Sequence, residues 1–352
     1  MPKRSTDELF QLVKSLEKAE KRNFKLFVQR NATSSDMKTV QLFDALDKLE
    51  DYDEEALLKR NTDIKKQQLS NLKAHLYRQI LASLRILKDD NNIQLQLHEL
   101  MDYSRILYDK GLYLQSLKTL DRVKEYAREQ HQVTYWLQTL IFEKKIEALY
   151  ITRSMENRAE TLAKEVEEAG DRLTMMNKLS NLSLQLYSWY INLGHARGDK
   201  DRIAIKAFFE SNLPTTAGLY NGFYEKHYQY ESYCWYGFIL QDLLMYYRYC
   251  QKWVDAFEQA PLMKKVDTPL YIKGLHNLLN AHFVLQNYDK FNTVLDKFEH
   301  FYHSKQANSN DNNRVQCFIY LYTAKLNKHF LEGSFTAGLK LIPEIEEKII
   351  EF

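Results

Sequence analysis

Residues that break helices and close tight turns are scarce in this chain: its 352 residues include only 10 Gly and 5 Pro, against usual shares of about 7% and about 5%. Gly supplies the positive φ of hairpin turns and phosphate loops, and Pro interrupts helices. Little is left to build hairpins, sandwiches or Gly-rich nucleotide loops. Leu, Lys, Glu, Gln and Tyr dominate instead, a mixture suited to long helices with polar outer faces. The length allows two ordinary domains or one elongated repeat array, with a core large enough to fold without disulfides or metal.

Charge and sulfur narrow the setting. The 49 basic and 47 acidic residues leave a net charge of +2, so no overall field calls for a nucleic-acid or membrane partner. Cys234, Cys250 and Cys317 form an odd, widely spaced set without a Cys-x-x-Cys pair, which fits a reducing compartment. The stretch Met1-Pro2-Lys3-Arg4-Ser5-Thr6-Asp7-Glu8 has no apolar signal-peptide core. The most apolar segment, Tyr233 to Leu244, is too short to span a bilayer and carries Gln241 and Asp242. A cytoplasmic protein without membrane association is expected.

Apolar periodicity sets out the elements. Ser5 and Glu8 are spaced as a capping box, followed by one helical stripe of Leu9, Leu12, Val13, Leu16, Ala19, Phe24 and Phe27. After a polar break at Asn31–Asp36, with Asp36 as N-cap, Val40, Phe43, Leu46 and Leu49 mark a second helix. A short third element runs from Asp53 through Leu58. Leu69, Leu72, Leu76, Ile80, Leu84 and Leu87 mark a long fourth helix, closed by Asp89-Asp90-Asn91-Asn92. Residues 1–90 are thus expected to form a four-helix N-terminal domain.

Beyond it, over residues 91–352, a motif recurs: a long apolar-faced helix, a tight turn of small or polar residues, often an aromatic, then a second helix. In its clearest instance Leu100, Tyr103 and Leu107 precede the turn Lys110-Gly111-Leu112-Tyr113, and Leu117, Leu120 and Val123 follow it. Turns of this kind are expected near Ser154, at Gly198-Asp199, near Gln251-Lys252-Trp253, at Gln286-Asn287-Tyr288 and at Glu332-Gly333-Ser334-Phe335. They recur on average about every 44 residues, and Trp253 to Tyr288 spans 35, near a known helical-repeat period. Ser211–Gly222 and Ser304–Asn313 read as expanded loops.

Gly111-Leu112-Tyr113 with Ser116, Asn287-Tyr288 with Phe291, Leu295 and Phe298, and Gly333-Ser334-Phe335 with Leu339 and Ile342 resemble the turn and second helix of tetratricopeptide (TPR) repeats. The chain as a whole also resembles bacterial helical-repeat proteins, which adds no function. The resemblance implies an all-α fold: a right-handed α-solenoid of about five to six TPR-like helix pairs after the N-terminal helical domain. Its first helices would line a concave groove that binds a peptide or partner protein.

Catalytic signals are wanting. There is no Gly-x-Gly-x-x-Gly, P-loop, Gly-x-Ser-x-Gly or His-Glu-x-x-His run. His300 and His303 share a helix face without a third ligand at metal spacing. The acidic runs Glu50-Asp51, Asp53-Glu54-Glu55 and Glu165-Glu167-Glu168 read as solvated faces. No enzyme, cofactor or metal is expected. Twelve aromatics crowd Tyr220 to Tyr249; they read either as inter-helix packing or as an aromatic-lined groove.

Two surfaces are candidates for partners. Counting back from each turn in steps of three and four gives inward-facing positions of the first helices: His98, Met101, Arg105 and Tyr108; Lys273, His276, Asn280 and Phe283; and Tyr320, Thr323, Asn327 and Phe330. By the resemblance, Asn280 and Asn327 would hold a peptide backbone through both amide groups, and Lys273 would meet an acidic or C-terminal carboxylate. The second surface is the basic segment Lys59–Lys88, where Lys65, Lys66 and Lys73 would carry any phosphate contact. It supports the alternative function, a peptide-sensing regulator whose N-terminal domain contacts DNA or a signalling protein. Nucleic acid is the disfavoured partner, because the basic residues spread around the helix.

Overall fold

A computed structural model describes residues 7–30, 34–60, 64, 66–87, 92–150, 158–215 and 222–350. The fold is all-α: about 85% helix, with no strand among the described residues. The chain divides into two compact units, Met1–Leu95 and Gln96–Phe352.

The first unit holds α1 (Glu8–Ser15), α2 (Lys18–Arg30), α3 (Ser34–Lys48), α4 (Glu54–Arg60) and α5 (Lys66–Ile86). These are five helices where four were expected, because the first stripe breaks. Leu16 turns extended, with φ −72° and ψ 134°, and the Glu20 carboxylate then accepts from the Glu17 amide at 2.7 Å to start α2. Ser5 lies outside the described residues; Asp7 caps α1 by accepting from the Phe10 amide at 3.1 Å. Asp36 falls inside α3 rather than before it. Val13, Phe24, Phe43, Leu46, Leu76 and Ile80 are fully buried in this unit's core.

The second unit comprises α6 (Ile93–Asp109), α7 (Tyr113–Glu129), α8 (Val133–Tyr150), α9 (Arg158–Leu193), α10 (Asp199–Asn212), α11 (Phe223–Leu240), α12 (Leu243–Gln259), α13 (Met263–Val266), α14 (Thr268–Val284), α15 (Tyr288–Tyr302), α16 (Asp311–Glu332), α17 (Phe335–Leu339) and α18 (Ile342–Ile350). Five of its helices end in one way. The residue just past the end takes a left-handed conformation: Gly111 (φ 74°), His131 (57°), Gln241 (59°), Gln286 (54°) and Gly333 (66°). The next amide then bonds to the carbonyl five residues back, as Leu112 N–H does to Leu107 O at 2.9 Å and Asp242 N–H to Gly237 O at 2.9 Å.

The turns expected at Gly111, Asn287 and Gly333 join α6 to α7, α14 to α15 and α16 to α17. The one expected near Gln251-Lys252-Trp253 is corrected: those residues lie inside α12, and the turn is at Gln241-Asp242. Trp253 is fully buried packing in the middle of α12 rather than the aromatic after a turn. Ser154 lies outside the described residues.

Packing runs from neighbour to neighbour: α7 on α8, α8 on α9, α9 on α11, α11 on α12, α12 on α14, and α14 and α15 on α16. The α11/α12 hairpin is closely packed. Positions equidistant from its turn meet, with Phe238 and Tyr246 ring centroids 4.9 Å apart and the Cys234 and Cys250 sulfurs at 3.6 Å. Gly237 permits this approach, since a Cβ there would lie 2.9 Å from the Tyr246 backbone nitrogen. Gly237→Ala is expected to cost about 1–3 kcal/mol in denaturant unfolding. Gly170→Ala, within α9 where an added Cβ meets nothing within 4 Å, is expected to gain about 0.5–1 kcal/mol. Equal effects of the two substitutions would refute the close-approach argument.

Candidate functional site

Two groups of ring contacts border one cleft, one joining α9 to α11 and the other α14 to α16. Tyr187 on α9 meets Trp235 on α11 at 4.9 Å. Trp235 walls a cleft of about 210 Å³ together with Tyr190 and Phe238. His276 of α14 also lines that cleft and is stacked on Tyr320 of α16 at 4.0 Å and 16°. Leu184, Tyr187 and Ile191 form an apolar stripe on α9 that is 65%, 41% and 62% exposed. A stripe at this spacing ordinarily faces a core.

The polar groups of the cleft come from α12 and α14. The Asn280 amide donates to the Tyr246 hydroxyl at 3.3 Å, and that hydroxyl lies 3.5 Å from Asn277 Oδ1. This leaves the Asn277 amide N–H groups and the Asn280 carbonyl without a partner among the described residues. Cys234 also lines the cleft; burial and then the adjacent Cys250 push its thiol well up, so it stays a neutral, soft wall.

The charges at this face are matched internally. Lys273 Nζ is 2.8 Å from Glu231 Oε1 and stands over the rings of Tyr187, Trp235 and Trp253 at 5.5, 5.6 and 5.9 Å. Burial pushes the Glu231 carboxyl up, but Lys273 and then His227 more than offset it and hold it below its usual range. Burial brings His227 down to about 4. His276 is likewise held at about 4, by burial and then by Lys273. Both imidazoles are neutral at pH 7, and the charges of Lys273 and Glu231 compensate each other.

The expected groove residues divide. His276 and Tyr320 touch, joining the second and third sets. Lys273 is already paired with Glu231, which corrects its expected role as a carboxylate receptor: its charge is spent within the fold. Phe283 packs half-buried against the core. Thr323 bonds its own helix at Ile319 O, 2.7 Å, Asn327 is half-buried, and Phe330 stands exposed with its ring 5.6 Å from Phe335.

The first set does not join them. Met101 is a correction: it is buried against Thr139 of α8, so this position of α6 faces core rather than groove. His98 is exposed against Tyr135, Arg105 is exposed, and Tyr108 lies between Tyr113 and Phe142. Sequence reasoning missed Tyr190 and Asn277, whereas Trp235 and Phe238 belong to the crowded aromatic segment whose second reading was an aromatic-lined groove. The only signal for Asn277 was its place three residues before Asn280, one turn along the same helix.

In the first unit Lys65 lies outside the described residues and Lys66 is exposed. Lys73 is a correction: it pairs with Asp7, donates to the Tyr52 hydroxyl at 2.9 Å and stands over that ring at 4.8 Å, so it is not available to a phosphate. A missed basic row, Lys18, Lys21, Arg22 and Lys25, runs along α2, but Lys21 and Lys25 pair with Asp47 and Asp44. Among the described residues no three His, Cys, Asp or Glu side chains gather as a metal site, and no helix is long and apolar enough to cross a membrane. Compared with known protein families, curated proteins and solved structures, the chain matches none of them.

Two outcomes follow from the charges. Lys273→Met leaves Glu231 buried without its cation and is expected to cost about 2–3 kcal/mol of stability, less than a fully enclosed pair because Lys273 is partly exposed. Adding Glu231→Gln should restore most of it; a double variant as unstable as the single would refute the pairing. The histidines set an acid limit. Above about pH 6.5 folded and unfolded chains hold the same His protons, but as pH falls from there toward 4 the unfolded chain takes up protons that buried His227 and His276 do not. The Tm should therefore fall from pH 7 to pH 5, and less steeply in His227→Phe, whose ring suits the surrounding Phe223, Trp253 and Phe257. An unchanged slope in that variant would remove His227 from the account.

Proposed function

We propose that the chain is a non-catalytic interaction scaffold, a right-handed TPR-like helical array that binds a peptide or partner protein along the face formed by α9, α11, α14 and α16. The shared helix-ending turn and neighbour-to-neighbour packing support the repeat reading. The observation that carries the binding reading is the exposed stripe of Leu184, Tyr187 and Ile191, with Tyr187 against Trp235 at the edge of the ring-lined cleft. Contiguous exposed apolar surface rimmed by polar groups marks interaction sites. Catalysis has little to work with here, since Glu231 and Lys273 neutralise each other and His276 is neutral. A cytoplasmic setting suits three buried free thiols. The regulator alternative loses support with Lys73 engaged inside its own unit.

The reading is tested by capturing a partner from native lysate and repeating the capture with Leu184→Asp plus Ile191→Asp. Both side chains are exposed, so the Tm should hold while affinity falls about tenfold or more. Asn327→Ala is expected to cost about 1–3 kcal/mol of binding if its amide pairs with buried peptide backbone. Capture unchanged by the two aspartates would remove this face from the proposal.

A further inference from the structure

We propose that the cleft between α9, α11, α12 and α14 is an anchor pocket for one uncharged aromatic side chain of the partner, a Tyr or a Trp. The inference rests on the partner-binding reading above and adds what the partner must present.

Size is the first argument. An apolar cavity of about 150 Å³ already admits benzene, and about 210 Å³ leaves room for a ring bearing a polar group. The walls are the second. Tyr190, Trp235 and Phe238 line the cleft, and ring faces and edges favour another ring over an aliphatic chain. Hydrogen bonding is the third. The Tyr246 hydroxyl engages one amide group of each asparagine, leaving the Asn280 carbonyl as acceptor and the Asn277 amide as donor. A phenol O–H or an indole N–H satisfies that acceptor, whereas Phe or Leu would bury it unpaired.

Charge is the fourth argument. A cationic side chain would find the Trp235 ring already engaged by the Lys273 ammonium and no carboxylate in the cleft lining. A carboxylate would find no free cation, because Glu231 matches Lys273 and His276 is neutral. The Trp235 wall of the cleft also meets Tyr187, which is 41% exposed beside Leu184 and Ile191, so the cleft borders the exposed stripe.

The test titrates the full chain, by ligand-observed NMR, with blocked amino acids: N-acetyl-tryptophanamide, N-acetyl-tyrosinamide, N-acetyl-leucinamide, N-acetyl-argininamide and N-acetyl-tryptophan. Saturable, weak binding of the first two is expected, with the leucine and arginine amides at least about tenfold weaker and no gain from the free carboxylate. Cys234→Phe should fill the cleft and abolish binding. Asn277→Ala, a milder change at a half-buried site, removes the free donor and should weaken the Tyr amide, whose phenol oxygen can accept, without altering the Leu amide. The proposal falls if no blocked amino acid binds, if the arginine amide binds as well as the tryptophan amide, or if binding survives in folded Cys234→Phe. Absent binding in a chain whose partner capture is lost with Leu184→Asp plus Ile191→Asp refutes the pocket alone. Binding in a chain whose capture ignores those aspartates refutes the wider face instead.

Discussion

One backbone hydrogen bond, repeated, organises the second unit: an amide two residues past a helix end returns to the carbonyl five residues back. It satisfies carbonyls the helix leaves orphaned, and it reverses the chain within two or three residues. A reversal so short forces the next helix to lie antiparallel against the last. The left-handed residue is Gly at two of the five turns, and His131, Gln241 and Gln286 at the others. Those three accept about 1–2 kcal/mol of strain, which packing across each hairpin must offset. Fully buried Leu117, Trp136, Ile239, Cys250, Leu275 and Phe291, drawn from successive helices of the unit, mark that packing.

Ion pairs with at least one buried partner also link the helices. Glu143 of α8 meets Lys124 of α7 and Arg158 of α9. Arg172 of α9 holds Glu225 of α11 at 2.7 Å, and Glu231 of α11 holds Lys273 of α14. Such pairs add little net stability, since desolvation offsets most of their attraction. Losing one partner is costly, however, so they penalise any slip that would separate them. Helix packing here is set by apolar contact and its register is guarded by charge.

Much of this organisation could be read from residue spacing, and the parts that could not have physical reasons. Turns at Gly111 and Gly333 were legible because only Gly adopts a left-handed φ without strain; Gln241 and His131 carry no such mark. Trp253 was taken for the aromatic after a turn because one sequence does not show whether a ring faces a neighbouring helix. The dense aromatic segment is now placed: every described member from Phe223 to Tyr249 is buried or half-buried, because α11 is covered by α9 and α12. The candidate site was the least legible part. Its main electrostatic fact joins Lys273 to Glu231, 42 positions away, and helical periodicity carries no information over that span. Met101 and Lys73 were misplaced similarly, each by a contact with a distant element.

The same pair explains why the face is built from rings rather than charges. An exposed groove with a free lysine would draw acidic segments by long-range attraction and lose them to salt. Here Glu231 cancels that field at source, and the Lys273 ammonium stands over Tyr187, Trp235 and Trp253, rings from α9, α11 and α12. Pre-set rings lose little freedom when a partner docks, and freedom lost is a main term opposing association. On the proposed partner-binding reading, Lys273 would support the rings around it, and selectivity would pass to the neutral amides of Asn277 and Asn280, which reward a ring that can hydrogen-bond.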